Sequence, residues 1–201
     1  GEAGVTVTLV PLAPGSGTGE GLAVRAELTG AAPPGVAFLW ALGGGDGKRG
    51  NRNGDIGAER EPVTRFFQVG PRAFDGNSVK ASGDGFVFTG KGGTLVGTFG
   101  AGTRVSAAPA AAWNDPAKLA AAGSGPIAAG ISDLRAGQPV YAVIEMAGPN
   151  PTASDVSAAQ ARTLFEAAEK HRDAVANRVV VDTPDPCINA AAAALNVAAD
   201  A

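Results

Sequence analysis

Charge and aromatic rings are what this 201-residue chain has least of: Asp, Glu, Lys and Arg make up 17% of it and Phe, Trp and Tyr 5%. With a formal net charge of −3 it offers no overall basic footprint for a phosphate backbone, which argues against a nucleic-acid partner. A single cysteine, Cys187, rules out an intrachain disulfide, and with His171 as the one histidine no Cys/His zinc site can be assembled. No stretch reaches the roughly 18 consecutive apolar residues that a membrane-spanning helix needs. No signal peptide is visible. Gly1-Glu2-Ala3 opens straight into a strand-like run, as expected of a cytosolic chain or of a mature form that has lost its leader.

What is plentiful is small: 42 Ala and 30 Gly, within an apolar content of 45%. That is too apolar and too weakly charged for a disordered chain. The glycines have no period of three, which excludes collagen. The length suits one domain, or one and a piece.

Up to Met146 the chain reads as short strands separated by Gly, Pro, Asn and Asp. Val5–Val10 alternates Val and Leu with Thr. Leu22–Leu28 places Leu22, Val24, Ala26 and Leu28 on one face and Arg25 and Glu27 on the other. Val36–Leu42, Val63–Val69, Gly85–Thr89, Thr94–Phe99 and Val140–Met146 complete the set. The pattern predicts a mainly β protein, an antiparallel β-sandwich over residues 1–146. Ala107–Gly125 is Ala-rich and broken by Pro109 and Pro116. It is expected to be a loop with a short helix starting at Pro116, anchored by Trp113.

The remainder is helical. Residues 147–181 read as a Pro/Gly linker and a long helix from Ser154 to Ala176, with Thr152-x-x-Asp155 as its capping box. Val156, Leu164, Phe165, Ala168, Arg172 and Val175 form its stripe, and Glu166, Glu169, Lys170 and Asp173 lie opposite. Residues 182–201 read as the start of a further helical domain, in which Asp182-Thr-Pro-Asp-Pro leads into Cys187–Ala201, an almost wholly apolar, Ala-rich helix of the kind expected to be buried inside something larger. The expectation is therefore a fragment, with the reading frame continuing into paired helices.

The densest polar feature is Gly43–Pro62, with Asp46, Lys48, Arg49, Arg52, Asp55, Glu59, Arg60 and Glu61. Asn51, Asn53 and Asp55 have the spacing of a calcium loop. Ile56 stands where such a loop needs Gly, however, and Pro62 where it needs Glu. No metal or cofactor is expected. A solvated hairpin connection and a loop projecting toward a ligand or a neighbouring domain both fit the segment. Gly15–Gly21 and Gly90-Lys-Gly-Gly precede no helix and match no phosphate-loop spacing, so they are hairpin turns. His171 has no nucleophile inferable beside it and reads as a solvated helix residue. Cys187 reads as a small buried hydrophobe, with a reactive thiol as the alternative.

Two stretches resemble a known family. Residues 49–68, RGNRNGDIGAEREPVTRFFQ, resemble the N-terminal domain of uncharacterised bacterial proteins grouped with the six-hairpin glycosidases. Val181-Asp-Thr-Pro-Asp-Pro186, followed by Asn189-Ala-Ala and Ala198-Ala-Asp200, resembles the lead-in to the first toroid helix of those proteins. Cys187 departs from the pattern, standing where a larger, often aromatic residue is expected. The resemblance implies a sandwich, a linker helix and the first helix of an (α/α)6 toroid, in a periplasmic or secreted protein, with a cytoplasmic one still open. It implies a carbohydrate-active protein in which a toroid carboxylate pair, outside this chain, hydrolyses the glycosidic bond. The partners implied are the rest of that helical domain, in the same gene or a companion chain, and a poly- or oligosaccharide. By the same resemblance Arg52, Asp55, Glu59 and Arg60 are the candidate substrate-binding residues, either on sugar or in an ion-pair network closing their own loop. A stand-alone carbohydrate-binding sandwich is the first alternative, although only Trp40, Trp113 and Tyr141 are there to build an aromatic platform. A structural subunit docking its C-terminal helix on a partner chain is the second.

Overall fold

The computed structural model describes residues 4–15, 19–30, 35–43, 71–121, 123–147 and 156–200. The described strands are β1 (Gly4–Pro11), β2 (Gly21–Thr29), β3 (Ala37–Leu42), β4 (Ser78–Ser82), β5 (Gly85–Gly90), β6 (Gly93–Phe99), β7 (Thr103–Ala108), β8 (Ile127–Asp133) and β9 (Val140–Met146). The helices are α1 (Pro116–Ala120), α2 (Ala158–Ala176) and α3 (Pro186–Asp200). All strand pairs are antiparallel, in a six-stranded sheet β1-β2-β9-β6-β5-β4 and a three-stranded sheet β3-β8-β7. The protein is thus mainly β, with a C-terminal helix pair. The expected strand Val63–Val69 lies outside the described residues.

Alternation along each strand sorts its side chains between two layers. On β2, Val24 joins a core shared by both sheets. Arg25 and Glu27 face the other way and pair at 3.6 Å, as the sequence pattern required. On β9, Ala142 and Ile144 point into the shared core while Tyr141 and Val143 point out toward α2. The register continues onto β1, where Val5, Val7 and Leu9 lie opposite Leu28, Ala26 and Val24 and are exposed. The three-stranded sheet thus leaves that end of the six-stranded one open among the described residues.

Strands β4, β7 and β8 escaped the sequence reading. β8 is Ile-Ala-Ala-Gly-Ile-Ser-Asp, and its Ala and Gly carry little β propensity. They are small because the strand is buried on both faces. Trp40 on β3 lies directly across from Gly130 on β8, and a Cβ built on Gly130 would fall inside the indole. Phe86 on β5 covers its cross-strand partner Gly97 on β6 in the same way. The Trp40 ring also stacks on Phe99 of the six-stranded sheet, with centroids 4.0 Å apart and planes 3° from parallel. Trp40, Phe86 and Phe99 therefore join the two sheets, and the opposing glycines make room for them.

The outer face of each sheet is closed by helix. Pro71–Phe74, Ala110–Ala112 and α1 bury Phe74, Ala112 and Leu119 against Ile127 and Ala129 of β8. Trp113 is the expected anchor, 5.1 Å from the Phe74 ring. Asp115 caps α1 by accepting the Lys118 backbone N–H. On the six-stranded sheet, α2 buries Ala161, Phe165 and Ala168 against Val10, Ala23 and Val143, and Val156, just before the helix, joins the same cluster. The Phe165 ring, fully buried, lies 4.9 Å beneath the Arg25 guanidinium with the Tyr141 ring at its edge. Arg25 also reaches Glu169 at 3.5 Å. The helix starts at Ala158 rather than Ser154, because the capping box is Ser157 with Gln160, each side chain bonded to the other's backbone N–H. Thr152 and Asp155, the expected box, lie outside the described residues.

Adding one methyl group at Gly97 or Gly130 forces Phe86 or Trp40 out of its place. Gly97→Ala and Gly130→Ala should each lower stability by about 1–3 kcal/mol. Gly92→Ala, where nothing lies within 4 Å, should change it little, all three read as urea midpoints. Phe165→Ala should cost about 3–5 kcal/mol, measured the same way, because it empties the cluster that fastens α2.

Candidate functional site

Arg52, Asp55, Glu59 and Arg60 all lie outside the described residues. The point from which their segment leaves the fold is well defined. The chain exits β3 at Gly43, whose φ of +141° suits glycine, and whose carbonyl accepts the Asn77 side-chain amide at 2.8 Å. Beside this anchor Leu42, Phe88, Leu95 and Met146 line an apolar cleft of about 320 Å³, and the tight β5–β6 turn Lys91-Gly92 forms its rim. The Gly90–Gly93 stretch is thus the hairpin turn its sequence indicated.

A larger and more polar cleft, about 740 Å³, opens between the start of α2 and two glycine turns. Pro139, Val140 and Tyr141 form its floor, and Gly100–Gly102 and Arg135–Gln138 its walls. Arg162, one turn into α2, stands at the rim and donates from Nε to Glu166 at 2.7 Å. That bond, then the Glu166 charge, then the Tyr141 phenol raise the Arg162 pKa above its ordinary value, so the guanidinium stays charged at any working pH. The sequence reading assigned nothing here. Its residues come from three distant segments, and no local spacing could have announced them.

A third feature is the junction between the two long helices. The one hydroxyl proton of Thr183 is shared between the Asn189 side-chain oxygen at 2.9 Å and the Asp185 carbonyl at 3.1 Å. Asn189 returns an amide to the Thr183 carbonyl, and the Asp185 carboxylate accepts the Cys187 N–H. Thr183-Pro-Asp-Pro is therefore a self-satisfied turn that starts α3. Asn196 then donates to the carbonyls of Ala176 and Val179, tying α3 to the end of α2. Cys187 is exposed, not buried as its apolar surroundings suggested, because its neighbouring turn holds it on the outward side. Ile188, Leu195 and Val179–Val181 are exposed as well, Leu195 by 69% and Val180 by 74%. His171 is half-buried in a smaller cleft of about 240 Å³, between the end of β1, α2 and Val197 of α3.

Among the described residues no three His, Cys, Asp or Glu side chains converge as metal ligands, and no helix is long and apolar enough to cross a membrane. No curated protein matches the chain. A family model described as a domain of unknown function, DUF4450, matches residues 1–169, which takes in all nine described strands and most of α2. The chain belongs to the DUF4450 family.

Proposed function

We propose that this chain is the supporting, non-catalytic β-sandwich and linker-helix part of a glycoside hydrolase-like protein, presenting α3 as the first helix of a toroidal catalytic domain. The observation that carries the reading is the outward side of the α2–α3 pair. Ile188 and Leu195 expose large apolar side chains on α3, and Val179–Val181 do so in the connection before it, and both stretches are held by the Thr183–Asn189 turn and by Asn196. Contiguous exposed apolar groups on an ordered element mark an interaction surface. Helical surfaces of this kind bury against other helices through their i, i+3 and i+4 rows.

The sugar chemistry comes from the resemblance of residues 49–68 and 181–200 to the six-hairpin glycosidase relatives. In that arrangement the two carboxylates of hydrolysis belong to the helical domain, and the sandwich fixes where that domain sits. Rigid placement matters because the acid and the base act only at a set separation across the bond they cleave. The segment bearing Arg52, Asp55, Glu59 and Arg60 would reach the substrate from the Gly43–Asn77 anchor. A periplasmic or secreted setting goes with such a substrate.

Leu195→Asp and Ile188→Asp test the reading in the polypeptide that the gene encodes. Both side chains are exposed, so neither change should alter the unfolding of residues 1–201 alone by more than about 0.5 kcal/mol. In the encoded polypeptide each should expose α3 to hydrogen exchange and depress oligosaccharide hydrolysis at least tenfold. Hydrolysis untouched by both substitutions, or no hydrolysis by the unsubstituted polypeptide of any oligosaccharide in a broad panel, contradicts the reading.

A further inference from the structure

We propose that β1 is a self-association surface, pairing antiparallel with β1 of a second copy of this chain so that the two six-stranded sheets run on into one. The sheet edges are not protected alike. β4 ends the six-stranded sheet on one side with five residues and Lys80 at their centre. β7, an edge of the smaller sheet, carries Arg104, and Gly123 bridges to it at Ala107. A charge or a covering segment is the usual device that keeps an edge from recruiting another strand. β3 is uncharged, yet Leu39, Trp40, Ala41 and Leu42 all pack into the cores. β1 has none of these safeguards among the described residues. Its eight residues hold no charge, and β2 is its one hydrogen-bonded neighbour there. Val5, Val7 and Leu9 share one face of it and are exposed by 45%, 41% and 56%.

The sequence of β1 makes a second copy the fitting partner. Val5-Thr6-Val7-Thr8-Leu9 has the same order of side-chain types in both directions about Val7. An antiparallel pair centred there sets Val5 opposite Leu9 of the second copy, Thr6 opposite Thr8 and Val7 opposite Val7, as a twofold axis requires. Thr–Thr pairs across strands stabilise a sheet, and on the other face the two exposed apolar stripes come to lie side by side. Charge fits as well. Within each copy β2 sets Glu27 opposite Thr6 and Arg25 opposite Thr8. The row that starts at Glu27 in one copy therefore ends at Arg25 of the second copy, and like charges do not line up across the join. The side chains and the shared ladder would together bury on the order of 1,000 Å², the lower limit for a specific interface. The dimer is accordingly a reversible one.

Sedimentation equilibrium of the whole chain tests the pairing, with Leu195→Asp in every sample so that the apolar surface of α3 adds no association of its own. A monomer–dimer equilibrium should appear with a dissociation constant below about 100 μM. Val7→Lys, which sets two ammonium groups face to face on the axis, should raise that constant at least tenfold, and most at low salt. It should leave the thermal midpoint of the dilute chain in place, because Val7 is exposed. The register is read by cross-linking in a Cys187→Ser background, which removes the chain's one thiol. Adding Val7→Cys there should give a disulfide-linked dimer on mild oxidation, and adding Lys80→Cys, on the charged β4 edge, should give at least tenfold less. A chain that stays monomeric at about 1 mM, a dimer indifferent to Val7→Lys, or equal cross-linking at positions 7 and 80 overturns the proposal. None of these outcomes bears on hydrolysis, so the scaffold reading stands or falls separately.

Discussion

The packing of large rings over cross-strand glycines is the constraint from which the rest of this fold follows. A chain with few aromatic residues must make each one cover much surface, and a ring reaches across a neighbouring strand only where no Cβ stands in its way. Trp40 over Gly130 and Phe86 over Gly97 meet that condition within each sheet. The stacking of Trp40 on Phe99 then turns two intrasheet pairs into the link between sheets. Offset or stacked ring pairs add about 0.5–1.5 kcal/mol beyond the area they bury. A ring trapped between a glycine and a second ring also has few other places to go. The abundance of glycine, which in isolation weakens strands, is here part of how the core is filled.

Both sheets are closed on their outer faces by helices, and the two closures differ in kind. Around α1 the contacts are apolar and short-range, ring against ring and Leu against Ile. Under α2 a cation holds the middle of the cluster: Arg25 lies over Phe165 and reaches both Glu27 and Glu169. Pairing of a half-buried arginine with two carboxylates and a ring fixes the rotation of α2 about its axis, because only one face of the helix presents Phe165 and Glu169 together. That rotation sets which way α3 leaves, through the Thr183 turn and the Asn196 bonds. It also places Arg162 over the polar cleft. Domain docking, as proposed, therefore depends on one clamp on β2.

Where period and chemistry agreed, the fold was legible from sequence. The opposite facing of Val24 and Arg25, the hairpin at Lys91-Gly92, the helix starting at Pro116 and the burial of Val156, Phe165, Ala168 and Val175 along α2 were all readable. β8 was not, since Ala-Ala-Gly is small for the sake of a partner strand, and the reason lies in Trp40, ninety residues earlier by sequence. The capping box was misplaced because Thr152-x-x-Asp155 and Ser157-x-x-Gln160 fit one pattern, and only the helix geometry chooses between them. The exposure of Cys187 was missed for a similar reason: apolar neighbours predict burial only when something covers them. Of the site, the α3 surface was foreseen as apolar, but the polar cleft assembles from residues near 100, 135 and 160 and had no local signature.

Ring currents give the most direct test of the central claim. If the Phe86 and Trp40 rings lie flat over Gly97 and Gly130, the Hα protons of both glycines must resonate far upfield of ordinary glycine positions in a proton NMR spectrum of the whole chain. In Phe86→Leu the Gly97 protons should return to the ordinary range while those of Gly130 stay shifted. Unshifted Gly97 and Gly130 protons in the unsubstituted protein would contradict the ring-over-glycine core and the sheet pairing built on it.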